Sequence, residues 1–215
     1  MTAETHCPLC CGSTLSFYFA DLRRPYFQCD TCRLVFVPSA WHLSREAERA
    51  EYSLHQNNIE DSGYRTFLSR LMLPLASRLG PGSRGLDFGC GPGPALAQMF
   101  REAGFEMTLY DSMFFPDTRA LEYYYNFICA TEVVEHLHFP GRELDRLWSQ
   151  LISGGWLGIM TKLVRDPEAF SNWHYKNDPT HVCFFSFDTW RWWAKMRNAH
   201  LEIIGADVIL LQRLD

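Results

Sequence analysis

Gly85-Leu-Asp-Phe-Gly-Cys-Gly-Pro-Gly93 is the stretch on which the reading of the fold turns. A short strand, Arg84–Phe88, runs into a glycine-rich turn, and a helix follows over Pro94–Ala103. Glycine lets a backbone approach a ligand closely, and the helix start behind it offers N–H groups with no intrahelical partner. A dinucleotide turn would read GxGxxG. The spacing here is Asp87-x-Gly89-x-Gly91-x-Gly93, which counts against an NAD-type oxidoreductase on the same kind of sheet.

Working outward, strand and helix patterns alternate. Glu106–Tyr110 reads as the next strand and Phe127–Thr131 as a third, followed by a helix over Arg142–Leu151 and a strand over Trp156–Thr161. A Trp-rich helix covers Asp188–Asn198, and Leu201–Gly205 with Val208–Gln212 forms a closing antiparallel pair. Strands alternating with helices predict a largely parallel sheet covered on both faces.

Four landmarks follow one another in this region: the Asp87–Gly93 loop, the strand end Leu109-Tyr-Asp111, the run Ala130-Thr-Glu-Val-Val-Glu-His136, and the turn Leu151-Ile-Ser-Gly-Gly-Trp156. In that order they resemble the class I S-adenosylmethionine-dependent methyltransferases, with Ser153 where the family's turn usually has proline. The resemblance implies a Rossmann-like α/β fold and S-adenosylmethionine as cofactor. It places Asp87, Gly89, Cys90, Gly91 and Gly93 at the amino-acid end of the donor, Asp111 on its ribose, and Thr131 and Glu132 beside its methionine portion. Residues 112–126 are too few for the usual helix, strand and helix, so the third strand and its acidic adenine contact are expected to be reduced or missing. Met113 and Phe114 are the candidates to stack on the base, and plain core positions are the alternative.

Upstream, Cys7-Pro-Leu-Cys10 and Cys29-Asp-Thr-Cys32 are two CxxC knuckles at ribbon spacing. Two such turns can close a tetrahedral thiolate shell around zinc, and four protein ligands leave no open position, so the metal expected there is structural. Cys10 rather than Cys11 completes its knuckle. Cys90, Cys129 and Cys183 are scattered and read as buried small hydrophobes. Residues 1–38 are therefore expected to be a zinc ribbon, 39–80 a helical connector with a helix over Tyr64–Leu79 kinked or divided at Pro74, and 81–215 the cofactor-binding domain. With the ribbon included, the resemblance reaches furthest to zinc-ribbon-bearing bacterial methyltransferases grouped with ubiquinone-type and sugar methylases.

Methyl transfer needs an acceptor in line with the sulfonium methyl and often a base to free its lone pair. Candidates lie beyond the carboxyl ends of strands. His136 follows the Glu132–Glu135 run, and Trp173-His-Tyr-Lys-Asn-Asp-Pro-Thr-His181 is a dense polar loop offering His174 and His181, with Asp178 to orient or cap. His174, Asp178 and His181 are also ligand types that suit zinc or iron, but nothing distinguishes them from an acid–base cluster, which is the preferred reading.

Composition narrows the partners. A net charge of −5 supplies no global basic surface for a long nucleic acid. No apolar run approaches the roughly 20 residues of a membrane span, and Met1–His6 lacks a signal-peptide core. A small-molecule acceptor, a cytoplasmic setting and reduced thiols are the expectation, with oligomeric state unreadable. The rival from another class is a cofactor-fold protein with reduced catalysis, whose ribbon holds a macromolecular partner.

Overall fold

The computed structural model describes residues 5–53 and 58–215. Residues 1–4, where the N-terminal reading falls, and four connector residues, 54–57, lie outside them. Among the described residues the chain forms two sheets. The smaller is antiparallel, with β1 (Leu15–Ala20), β2 (Pro25–Cys29), β3 (Val35–Phe36) and, from far along the chain, β8 (Cys183–Phe184). The larger contains β4 (Arg84–Phe88), β5 (Glu106–Tyr110), β6 (Tyr125–Thr131), β7 (Leu151–Met160), β9 (His200–Ile204) and β10 (Val208–Gln212), in the order β5-β4-β6-β7-β10-β9. Its first four strands are parallel and the closing pair is antiparallel, so this is a mixed sheet in an α/β fold.

Period-two alternation sends successive side chains to opposite faces. Phe127, Cys129, Val208 and Leu210 join one core with Leu68, Leu71 and Leu75 of α2 (Ser62–Ala76) and Phe100 of α3 (Ala95–Glu102). Ile128, Ala130, Ile209 and Leu211 point the other way, toward α4 (Pro140–Ser149) and α6 (Phe187–Met196), with the short α5 (Pro167–Ser171) between those two in the chain. That second core continues without a break into the ribbon cysteines Cys7, Cys29 and Cys32. Trp190 and Trp193 of α6 are fully buried in it, as core residues rather than pocket walls.

The shortened segment after Asp111 behaves as expected, and two other local expectations change. The segment from Asp111 to Tyr124 contributes no strand: Asp111 and Phe115 close a turn, a 3-10 helix covers Thr118–Leu121, and β5 is left as the sheet edge. Pro74 lies inside α2 without dividing it; its missing N–H removes the rung to Arg70 O, and the helix ends two residues later. The helix accordingly stops at Ala76, short of Leu79. The turn Leu151–Trp156 is absorbed into β7, whose pairing with β6 shifts register between Tyr125 and Phe127 while Gly154 takes φ 76°.

The ribbon is tied to the larger sheet by backbone. Val35 and Phe36 pair with Phe184 and Cys183, and the Val37 N–H donates to Val182 O at 2.9 Å. At the first knuckle, Gly141 of α4 donates its N–H to Pro8 O at 3.2 Å. A Cβ there would lie 2.3 Å from Leu9 O, so only glycine permits this docking.

Candidate active site and cysteine cluster

The four ribbon cysteines come together as their spacing predicts. Cys7 and Cys32 Sγ lie 3.5 Å apart, as do Cys10 and Cys29 Sγ, and all four sulfurs fall within 4.8 Å of one another. Thiolates about 2.3 Å from one tetrahedral ion would stand roughly 3.8 Å apart, so the cluster fits zinc. The two knuckles are near copies in their backbone. Cys11 N–H donates to Cys7 O and Arg33 N–H to Cys29 O, each at 2.9 Å, with φ of 59° and 64° at the two donors. Cys7 and Cys29 N–H return to Gly12 O and Leu34 O at 2.9 Å. Cys11 is thus an exposed turn residue outside the cluster. Cys129 and Cys183 are buried as expected, and Cys90 is buried at the glycine loop.

Beyond the carboxyl ends of β4, β5 and β6 opens a cavity of about 720 Å³, within the usual size of a small-molecule site. Gly89, Cys90, Gly91, Asp111, Thr131 and Glu132 line it, and so do Met113 and Phe114. Gly89 (φ 72°) and Gly91 (φ 64°) require their missing side chains. A Cβ on Gly89 would also sit 2.5 Å from Val133 Cγ2.

Asp87 and Gly93 stand behind the loop rather than on the cavity wall. The Asp87 carboxylate accepts the Ala97 N–H in the first turn of α3, fastening the strand end to the helix start. Burial pushes its carboxyl up to about 7 against the Ala97 N–H and Arg101, and the nearby Asp111 charge adds to the rise. Asp111 does two jobs. One oxygen accepts Met113 and Phe114 N–H at 2.8 and 3.0 Å, and the other accepts Gly91 N–H at 3.1 Å, so the carboxylate that faces the cavity also holds the glycine loop in place.

The opposite wall carries His136, Asp178 and His181, together with Glu48 and Tyr52 from α1 (Arg45–Tyr52). His181 is 7% exposed. Its Nδ1 lies 2.7 Å from Tyr175 O; a carbonyl only accepts, so Nδ1 carries the proton and Nε2 the lone pair of the neutral ring. Asp178 Oδ2 lies 3.7 Å from that Nε2. His136 packs on His181 with ring centroids 4.6 Å apart, and its Nδ1 meets Thr180 O at 3.3 Å. His174 is not part of this group: it is exposed and accepts a hydrogen bond from Lys162 Nζ at 2.9 Å.

Beside the histidines the buried Glu135 meets the half-buried Glu132. The Tyr175 hydroxyl donates to Glu135 and lies 3.2 Å from Glu132 Oε2 and 3.3 Å from Thr161 Oγ1. Burial, and then the neighbouring Glu132 charge, push the Glu135 carboxyl up to about 8. Burial likewise raises Glu132, which takes φ 52° at the end of β6.

The ribbon reaches this wall through a residue no motif announces. Arg24 is 6% exposed and donates to Lys176 O at 2.8 Å, Asp178 O at 2.8 Å and Pro179 O at 3.0 Å. Beside it, the buried Lys176 ammonium donates to Asp21 Oδ2 at 3.2 Å. The loop that carries Asp178 and His181 is therefore held from the ribbon side. Glu48 and Tyr52, one helical turn apart on α1, also escaped sequence reasoning, because nothing local aims a connector helix at a cleft.

Comparison with known proteins meets this geometry. A methyltransferase domain family matches residues 61–203, more than half of the chain. The chain belongs to the methyltransferase-domain family. Among solved structures, this methyltransferase domain is similar to the Burkholderia thailandensis 1,6-didemethyltoxoflavin-N1-methyltransferase, solved with 1,6-didemethyltoxoflavin and S-adenosylhomocysteine, at 14% identity and TM-score 0.57 over 93% of this chain and 99% of that one. It is also similar to magnesium protoporphyrin IX methyltransferase from Synechocystis PCC 6803, solved with S-adenosylhomocysteine, at 12% identity and TM-score 0.55 over 79% and 94%. At these identities the likeness is one of fold. No curated protein matches the methyltransferase at the level of sequence. No helix among its described residues is long and apolar enough to cross a membrane.

Proposed function

We propose that this methyltransferase binds S-adenosylmethionine on the β4–α3 loop and transfers its methyl group to a small-molecule acceptor in the same cavity. The observation that carries the reading is the continuity of one cavity from the Gly89–Gly91 backbone and Asp111 to the His136–His181 wall. In this reading Gly89, Cys90, Gly91, Thr131 and Glu132 surround the methionine portion, with Asp87 and Gly93 shaping the loop from behind. Asp111 accepts the ribose hydroxyls, and Met113 and Phe114 flank the adenine in place of the missing third strand. His181 and His136 contact the acceptor, and His174 lies outside the reacting set. The cysteine cluster holds structural zinc, and a reducing cytoplasm suits its thiolates.

A donor half built on backbone and an acceptor half built on side chains have a chemical logic. The sulfonium already carries its leaving group, so the protein has only to align the acceptor and manage its proton. Calorimetry of the purified protein with S-adenosylhomocysteine tests the reading. Saturable binding that weakens at least about tenfold in Asp111→Ala is expected, because the variant removes both a ribose acceptor and a support of the loop. Absence of heat with the wild-type protein overturns it. Transfer of label from radioactive S-adenosylmethionine into a metabolite extract then identifies the acceptor.

A further inference from the structure

We propose that Glu135, His136 and His181 form a second metal site, for a borderline divalent cation such as zinc or iron(II), in the acceptor wall of the cavity. Two imidazoles and a carboxylate are the donor set that such ions favour. One ligand atom from each residue lies within 4.8 Å of the other two, so some point is no more than about 2.8 Å from all three. Bonds to zinc from these donors run about 2.0–2.2 Å. A contraction of well under an ångström therefore completes the site.

Three further features fit an ion better than an acid–base pair alone. First, Glu135 is 0% exposed, yet its Oε2 has no hydrogen-bond partner among the described residues while Tyr175 occupies the other oxygen. A buried acceptor without a partner is costly, and a cation bound there removes that cost. Second, each imidazole has its Nδ1 against a main-chain carbonyl, Thr180 O for His136 and Tyr175 O for His181. That is the outer-shell arrangement that fixes a metal-binding histidine with Nε2 toward the ion. Third, Glu132 and Asp178 crowd the same wall, where added positive charge is favourable. The ligands are not those the polar loop alone suggested: His174 is turned away to Lys162, and Glu135 with His136 arrives from the end of β6.

Glu135 lies behind the two histidines, which themselves line the cavity. Positions on the ion not taken by protein would face the acceptor. Resting on the methyltransferase reading above, this points to an acceptor with an ionisable oxygen, which the cation would bind and whose proton it would help to release.

Cobalt(II) is the probe, because four thiolates give an intense near-ultraviolet charge-transfer band whereas nitrogen and oxygen donors give only weak visible bands. The full-length protein, loaded with cobalt(II), is expected to hold about two ions per chain, one of each spectral kind. Glu135→Gln and His181→Ala should each lower the content to about one, removing the weak visible component and leaving the thiolate band intact. A wild-type content of one thiolate-bound ion overturns the proposal, as does persistence of the second ion in either variant. Calorimetry with S-adenosylhomocysteine on the same samples shows that the variants remain folded and separates the two readings. Cofactor binding without a second ion defeats only the metal site; a second ion in a protein that ignores S-adenosylhomocysteine defeats only the methyltransferase reading.

Discussion

The two walls of the cavity are built in different ways. The wall proposed for the donor centres on chain neighbours: Gly89 to Gly91 form one turn, and the Asp111 that braces it follows the adjacent strand. The acceptor wall is assembled from four distant places, α1, the end of β6, the loop 174–181 and, behind that loop, Arg24 of the ribbon. A wall made by short-range geometry survives damage elsewhere, whereas one made by long-range packing fails when any supporting piece is removed. The cysteine cluster is therefore tied to the wall that carries His136 and His181 even though it lies outside the cavity.

Removing the ribbon's ligation should break this contrast most severely. Cys32→Ser leaves an incomplete shell in a core continuous with the larger sheet. Loss of a structural metal ligand costs several kcal/mol, or roughly 10 °C of melting temperature for a chain of this size. Thermal unfolding checks it; an unchanged melting temperature would show that the ribbon is ornamental.

Arg24→Ala sharpens the comparison. It strips the donors from three carbonyls of the 176–179 segment, and charge-assisted bonds of this kind are worth about 1.5–3 kcal/mol each before compensation by water. Amide exchange in residues 174–181 should accelerate by at least about tenfold, while affinity for S-adenosylhomocysteine stays within about twofold. Equal loss on both walls would mean that they are one cooperative unit.

Gly89→Ala is the reciprocal test on the donor wall. A Cβ there meets Val133 and is forced to φ 72°, a conformation costing about 1–2 kcal/mol for non-glycine residues. Cofactor affinity should fall about tenfold or more, with exchange in residues 174–181 unaltered. Intact affinity would show that the loop does not approach its ligand closely.

The smallest effect expected is a pH dependence. Asp87 has its carboxyl raised by burial to about 7 from 3.8. The native state then binds more protons than the unfolded chain between those values, so this group's contribution is full below about pH 4 and is lost as pH rises through about 7. Asp87→Asn does not titrate. Its melting temperature relative to the wild type should therefore rise between pH 5 and pH 8. A constant difference would show that Asp87 is ionised throughout.

Much of this was legible in the residues alone. Gly89 and Gly91 form the turn that the glycine-rich stretch suggests, the strand alternation gives the two cores, and the paired CxxC knuckles bring four sulfurs together. Each depends on neighbours a few residues apart, whose chemistry is fixed by covalent geometry. The connector helix stops at Ala76 instead of Leu79, and the Leu151–Trp156 turn persists as an irregularity inside β7, with Gly154 at φ 76°, because pairing on either side of it sets where a strand begins.

Sequence by itself determined the α/β alternation, the glycine loop and the cysteine cluster, because periodicity and motif spacing act over one turn or one hairpin. Tertiary structure alone decided that His181 meets Glu135 and His136 while His174 does not, and that Arg24 holds the loop between them. Those meetings depend on β8 completing the ribbon sheet and on α4 receiving Pro8 at Gly141. Such closures are selected by the packing of the whole chain, and no window of the sequence contains them.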